Sequence, residues 1–272
     1  MNPSGMPGTV ASILDARGVV INYQRSNTPA LEHMDLSLRA GELFCLIGPS
    51  GCGKTTMLSA FAGFVPVVSG SMLLRGRQIT GPGPDRGVVF QDDDALFGWL
   101  TTLENVEFGM KVTGVPRAER RARAEHYVNL VGLGGHENKL PHELSGGMRK
   151  RVQIARVLAN EPDVLLMDEP FAALDAQARA IMQVELERIW SATRSSVLFI
   201  THDIEEAIVL GDRVGVMTNG PRARMREIVE IDLPRPRERA SRNFTDVLSR
   251  CLTIISEEVA RSSFGEPRSR AR

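Results

Sequence analysis

The sequence lacks any apolar run long enough to cross a bilayer. Its longest runs, such as Phe61 to Val68, fall far short of the ~20 residues a spanning helix needs. Met1 to Val10 holds no basic stretch followed by an apolar one, so no secretory leader is expected there. Cysteine is scarce: Cys45, Cys52 and Cys251 are odd in number and lack metal-ligand spacing, which points to a reducing compartment. Neither sign of charge is in excess, since 33 Lys and Arg balance 33 Asp and Glu. No global field therefore draws the chain to nucleic acid or membrane lipid. No internal repeat marks a solenoid, and there is no low-complexity tract. The expectation is a cytoplasmic protein that does not cross the membrane by itself. What is present is an ordinary globular composition, 42% hydrophobic and 24% charged over 272 residues, with enough apolar mass for a core.

The chain reads as alternating strands and helices. Ile13 to Tyr23 is β-rich, and Met34, Leu36 and Leu38 alternate with polar residues. Leu43 to Ile47 is an apolar strand that runs into a glycine-rich loop and then a helix, Lys54 to Phe61. Short strands are expected at Ser71 to Leu74 and Gly87 to Phe90. Further strands follow at Val164 to Met167, Val197 to Ile200 and Val214 to Met217, with helices at Ala176 to Thr193 and Ile204 to Leu210 between them. Apolar strands alternating with helices mean a mostly parallel sheet covered on both faces. The stretch from 91 to 152 reads as a helical insertion into that α/β core. In it, Pro116 opens a charged helix, Arg117 to Leu130, and Ser145 caps a helix reaching Leu158. The core is then 1–90 plus 153–220, and 221–272 is a C-terminal extension with a helix near Phe244 to Val259. The basic residues of that extension, Arg235 and Arg237 among them, read as solvated surface.

Three segments carry chemistry. Gly48, Pro49, Ser50, Gly51, Cys52, Gly53, Lys54, Thr55 and Thr56 fit the pattern G-x-x-x-x-G-K-[ST] between a strand and a helix. Glycines let backbone N–H groups turn inward around a phosphate, and the helix points its positive end at the same anion. Lys54 reaches the β- and γ-phosphates, and the Thr55 hydroxyl suits Mg²⁺. Cys52 reads as filler, with no histidine paired to it in sequence. Second, the strand from Val164 ends in Asp168 and Glu169. One carboxylate can hold the metal shell and the other can polarise water. Third, Ser145, Gly146, Gly147 and Met148 open a helix with a hydroxyl, free N–H groups and a dipole. One ATP needs one phosphate cradle, so a second cradle makes sense if the site closes between two subunits. The plain alternative is that Ser145 only caps its helix.

Seven segments in this order resemble the ABC-transporter ATPases. They are Tyr23, Gly48 to Thr56, Gln91, Leu144 to Met148, Leu165 to Glu169, Ala173 to Asp175, and Thr201 to Asp203. The resemblance covers roughly Ile13 to Met217 and implies a P-loop ATPase core: a mostly parallel sheet, an antiparallel β subdomain and an inserted helical subdomain carrying the signature. It also implies ATP and Mg²⁺ as cofactors. By resemblance Tyr23 stacks on adenine, Gln91 reaches the metal and the attacking water, and Asp168 supports the metal with Thr55. Glu169 is the catalytic base, His202 contacts the γ-phosphate, and Asp175 works across a dimer interface. Ser145 to Met148 meet the ATP of the partner. The chain departs from the commonest pattern at Met148, where relatives usually have Gln, and at Gly98, where they often have Pro.

Gly81 to Gln91, Pro141 to Met148, Asp232 to Arg237 and Trp99 further resemble the importers of nitrate, alkanesulfonates and taurine. That resemblance implies a second cassette, integral membrane permease subunits and, indirectly, a periplasmic or extracellular solute-binding protein. No nucleic acid is implied. The chain would sit at the cytoplasmic face of the membrane, with Phe97 and Trp99 lining the permease cleft, while Leu96 and Leu100 fill the core. An exporter cassette for lipid or drug is the alternative. A ribosomal ATPase with paired cassettes is disfavoured because one motif set is present. A chromosome ATPase is disfavoured because no sustained heptads separate Gln91 from the signature.

Overall fold

A computed structural model describes residues 12–23, 28–91 and 95–264, with side chains to residue 260. Two sheets organise it. Strands β1 (Ser12–Ile21), β2 (Leu31–Arg39), β4 (Ser69–Leu74) and β5 (Arg77–Gln78) form an antiparallel sheet in the order β2-β1-β4-β5. The main sheet has the order β10-β9-β3-β8-β7-β6. It contains β3 (Leu43–Ile47), β6 (Arg86–Val89), β7 (Val164–Asp168), β8 (Ser196–Ile200), β9 (Arg213–Met217) and β10 (Met225–Glu230). Its strands run parallel except β10, which pairs antiparallel with β9 at the edge.

Every residue of β3, β8 and β9 is buried, which explains why these strands are written almost wholly in apolar letters. Alternate side chains serve opposite faces. Leu43, Cys45 and Ile47 join Leu165, Met167, Val197 and Phe199 in one core. Phe44 and Leu46 join Val164, Leu166, Leu198 and Ile200 in the other. The second core is closed by α1 (Lys54–Phe61) through Met57, Leu58 and Phe61, together with the antiparallel sheet. The first core is closed by the remaining helices: α2 (Thr102–Val112), α3 (Arg117–Leu130), α4 (Gly146–Leu158), α5 (Ala176–Thr193), α6 (Ile204–Leu210) and α7 (Arg242–Phe264).

Helix starts follow local chemistry. Thr101 and Glu104 form a capping box at α2, and the Ser145 hydroxyl accepts from the Met148 N–H at 3.3 Å to start α4. Helix α3 buries only Ala124 and Val128, and i,i+4 pairs such as Arg123–Glu119 at 2.6 Å lie along its outer face. Three boundaries differ from the sequence reading. Helix α4 runs unbroken through residue 152, where the insertion was expected to end. Strand β10 makes 225–230 part of the main sheet rather than of an appended tail. The C-terminal helix is longer than the Phe244 to Val259 core expected, reaching Phe264. Residues 1–11, 24–27, 92–94 and 265–272 lie outside the described residues, and with them the leader reading and the acidic run Asp92 to Asp94. Among the described residues no helix is long and apolar enough to cross a membrane.

Candidate functional site

The glycine-rich loop leaves the end of β3 and enters α1. Gly51 and Gly53 have φ of +75° and +99°, left-handed conformations that turn successive N–H groups to one side. A Cβ on Gly53 would also lie 2.8 Å from Leu31 Cδ2. Lys54 is 6% exposed and lies across the loop, donating from Nζ to the carbonyls of Gly48 at 2.9 Å and Pro49 at 3.1 Å. Its charge is therefore held against the loop backbone. Cys52 is buried beneath the loop, and burial pushes its thiol pKa up, against the pull of the Lys54 charge. That environment makes Cys52 packing rather than a nucleophile.

β8 separates β3 from β7 in the sheet, and the acidic end of β7 meets the loop. The Thr55 hydroxyl donates to Asp168 Oδ1 at 3.2 Å. Burial pushes the Asp168 carboxyl pKa up, as does the neighbouring Glu169, while Thr55 and Lys54 oppose the shift. A carboxylate made costly by burial is one that gains from a cation, and a hydroxyl and a carboxylate are the hard oxygen donors that fit Mg²⁺. Glu169 adopts φ +43°, rare for a residue with a side chain, and its N–H donates to Ile200 O at 3.0 Å. This twist turns the chain at the strand end, where Glu169 Oε2 lies 3.0 Å from His202 Nδ1. His202 follows β8, so two parallel neighbouring strands deliver the pair. Tyr23 sits two residues past β1, half exposed, with its hydroxyl 2.9 Å from that of Thr56.

Other site candidates stand elsewhere. Ser145 is exposed at the start of α4, with Gly146 and Gly147 in the first turn, and Met148 packs against the core. Asp175 is exposed and caps α5, accepting from the Ala178 N–H at 2.8 Å. The Gln91 side chain is exposed, and its carbonyl accepts from Lys150 Nζ at 3.0 Å. Trp99 is 75% exposed and rests on Phe97, whose ring lies 4.3 Å from Phe108. Phe97, Phe108 and Val112 line a groove of about 450 Å³ with Val88 and Val157. Leu96 is buried as expected of a core residue, but Leu100 is only half-buried and faces a second cavity beside Trp99.

Two buried polar residues of the site region carry no signal in the sequence. Asn105, fully buried, accepts from the Phe97 N–H and donates to the carbonyls of Phe97, Leu100 and Thr101, so it shapes the loop that presents Trp99. Lys150, 1% exposed, donates to Phe90 O and Gln91 O and so fastens the Gln91 turn to α4. Neither has a signal in spacing, because each role depends on which backbone faces it. The basic tail is not the solvated surface its composition suggests. Arg237 is only partly exposed: it donates to Ile208, Val209 and Gly211 carbonyls at 2.6 to 3.1 Å, and burial pushes its pKa down to about 10. Arg235 stacks 4.6 Å from the Trp190 ring and donates to Leu210 O and Asp212.

A phosphate loop between strand and helix, with acids at the end of a nearby parallel strand, defines a nucleoside-triphosphatase. The family model described as ABC transporter matches residues 31–172. The chain is 44% identical over 242 residues to a nitrate import ATP-binding protein of Synechococcus elongatus, covering 86% of this chain and 88% of the relative. It is 48% identical to a taurine import ATP-binding protein of Roseobacter denitrificans, covering 71% of each. Among solved structures it matches a dimeric ATP-binding cassette in a post-hydrolysis state with ADP and phosphate. The TM-score there is 0.67 at 27% identity, over 80% of this chain and 98% of that one. The chain belongs to the ABC transporter family and is an ATP-binding, ATP-hydrolysing cassette.

Proposed function

We propose that the chain powers uptake of a small solute of the nitrate, sulfonate or taurine kind, through separate permease subunits at the cytoplasmic face of the membrane. The observation that carries the chemistry is the Glu169–His202 contact at 3.0 Å, one residue from the Asp168–Thr55 pair that closes on the phosphate loop. The similarity to nitrate and taurine importers supports the direction of transport over export.

In this reading the loop N–H groups and Lys54 bind the β- and γ-phosphates, and Tyr23 offers its ring to adenine. Thr55, Asp168 and Gln91 would hold Mg²⁺, which would offset the charge that develops on the phosphates. Glu169 takes a proton from the attacking water, and His202 keeps the Glu169 carboxylate in line and faces the γ-phosphate. A second cassette completes the site. Helix α1, behind the phosphate loop, and helix α4, behind Ser145, pack on opposite faces of the main sheet. Such a placement favours two nucleotides, each shared between chains, with Asp175 at the seam and the Ser145 to Met148 terminus on the partner's ATP. A solute-binding protein outside the membrane supplies the cargo to the permease.

The first test is Glu169→Gln. Nucleotide binding should be retained while hydrolysis falls about 10²–10⁴-fold, as expected for a lost general base. Dimers should accumulate with Mg-ATP, because the products that separate them are not formed. Light scattering and phosphate release read both effects, and hydrolysis near the parent rate would reject Glu169 as the base.

A further inference from the structure

Behind His202 runs a line of polar contacts that phosphate chemistry does not use. Glu206, 4% exposed, lies in the first turn of α6. One carboxylate oxygen accepts from the Thr201 hydroxyl and the other from Gln183 Nε2 at 3.0 Å. Thr201 immediately precedes His202, and its hydroxyl oxygen also accepts from the Asp203 N–H at 3.0 Å. Asp203 in turn accepts from the Glu206 N–H at 3.1 Å. Thr201, on one side of His202, is thus tied to the Glu206 carboxylate, and Asp203, on the other side, caps α6 through the Glu206 backbone N–H. On the far side, Gln183 Oε1 accepts from Arg239 at 2.7 Å. An arginine only donates, so the amide oxygen must face Arg239 and the amide NH₂ must face Glu206. Arg239 belongs to the segment between β10 and α7. Its side chain is about half exposed and lies 3.9 Å from Glu205.

A buried carboxylate is costly even when its bonds are met, and an apolar side chain of similar size often serves packing as well. An acid here therefore calls for a task beyond packing. We infer that Glu206 is a positioning residue for ATP hydrolysis: through Thr201 it holds the His202 ring against Glu169, and through Gln183 and Arg239 the C-terminal segment tunes that fit. The inference rests on the roles given above to His202 and Glu169. The relay ends at Arg239, half exposed on the segment between β10 and α7.

Steady-state and single-turnover ATPase rates test it, with Glu206→Gln and Arg239→Ala each made in the parent and in a His202→Ala chain. Gln keeps the size of Glu but cannot accept from both Thr201 and Gln183. Glu206→Gln should lower kcat about tenfold with KM for Mg-ATP within about twofold, as a small misplacement of a reacting group does. Arg239→Ala, at a half-exposed site, should lower kcat about two- to fivefold in the same way. In the His202→Ala chain neither change should cost anything further, since groups acting as one unit are not additive. Parent-like kcat in both single variants overturns the inference, as do losses that multiply with His202→Ala. So does a fall in melting temperature and nucleotide affinity that accounts for the Glu206→Gln loss. A parent-like rate for His202→Ala itself brings down the reading of the site, and the relay with it.

Discussion

A thiol in the middle of a phosphate loop would be a liability if it were reactive, and its surroundings decide that it is not. Cys52 is 1% exposed, and burial raises its pKa. The attacking species is the thiolate, so a raised pKa leaves less of it at any given pH, and reactivity appears only as pH climbs through the raised value. Cys251, pushed up to about 11 by burial, and Cys45, also buried, follow the same rule. Native protein treated with iodoacetamide at pH about 8 should therefore keep all three thiols, with labelling only after denaturation. Peptide mass spectrometry reads this directly, and native labelling of Cys52 would show that the loop opens. At this scale the sequence was most legible where a residue type has one chemical use, as with Lys54 after glycines or acids ending an apolar strand. It was silent for Asn105, Lys150 and Glu206. Their letters are ordinary, and their meaning comes from backbone groups and side chains far away in sequence.

Among elements, the segment after β10 shows how composition can mislead. Arginines among prolines look solvated, yet two of them close the open end of α6. The last carbonyls of a helix have no internal partner, and here Arg235 and Arg237 supply donors to Ile208, Val209, Leu210 and Gly211. Pro234 and Pro236 keep this stretch out of a helix, with a bend at residues 235–236, and Trp190 of α5 gives Arg235 a ring face to lie on. Arg237→Ala should strand several partly buried carbonyls and cost about 2–4 kcal/mol. At roughly 2–4 °C per kcal/mol for a chain of this size, the melting temperature should fall by several degrees. Arg237→Lys should recover little, because one ammonium cannot span the carbonyls a guanidinium fork reaches. A thermal melt decides it, and an unchanged midpoint would mean the tail is docked by α7 alone.

For the whole molecule, the question is how closure around ATP is felt by a partner. The Gln91 turn is fastened by Lys150 to α4, the helix that begins at the signature, and the groove beside Phe97 opens just beyond it. Trp99 stands exposed beside it, lining the neighbouring cavity with Leu100 on a loop braced by Asn105, a shape suited to an aromatic anchor for a docked permease helix. Trp99→Ala should leave the basal ATPase of the isolated chain within a few-fold of parent. It should weaken permease association by about 2 kcal/mol or more, as truncated interface hot spots do. Co-purification with the permease and the ATPase rate of each form test this, and undiminished assembly and transport would remove Trp99 from the interface.

The sequence by itself determined the main strands, the phosphate loop, the acidic strand end and the signature, because each is a local pattern in which residue type and spacing carry the physics. It could not determine that the helices behind the phosphate loop and behind Ser145 pack on opposite faces of one sheet, nor that β10 completes that sheet. Nor could it show that Arg237 donates to the carbonyls at the end of α6, or that Glu206 contacts both Thr201 and Gln183. Those follow from which distant segments share a surface. A strand's own letters state that it is buried, but they do not state what buries it.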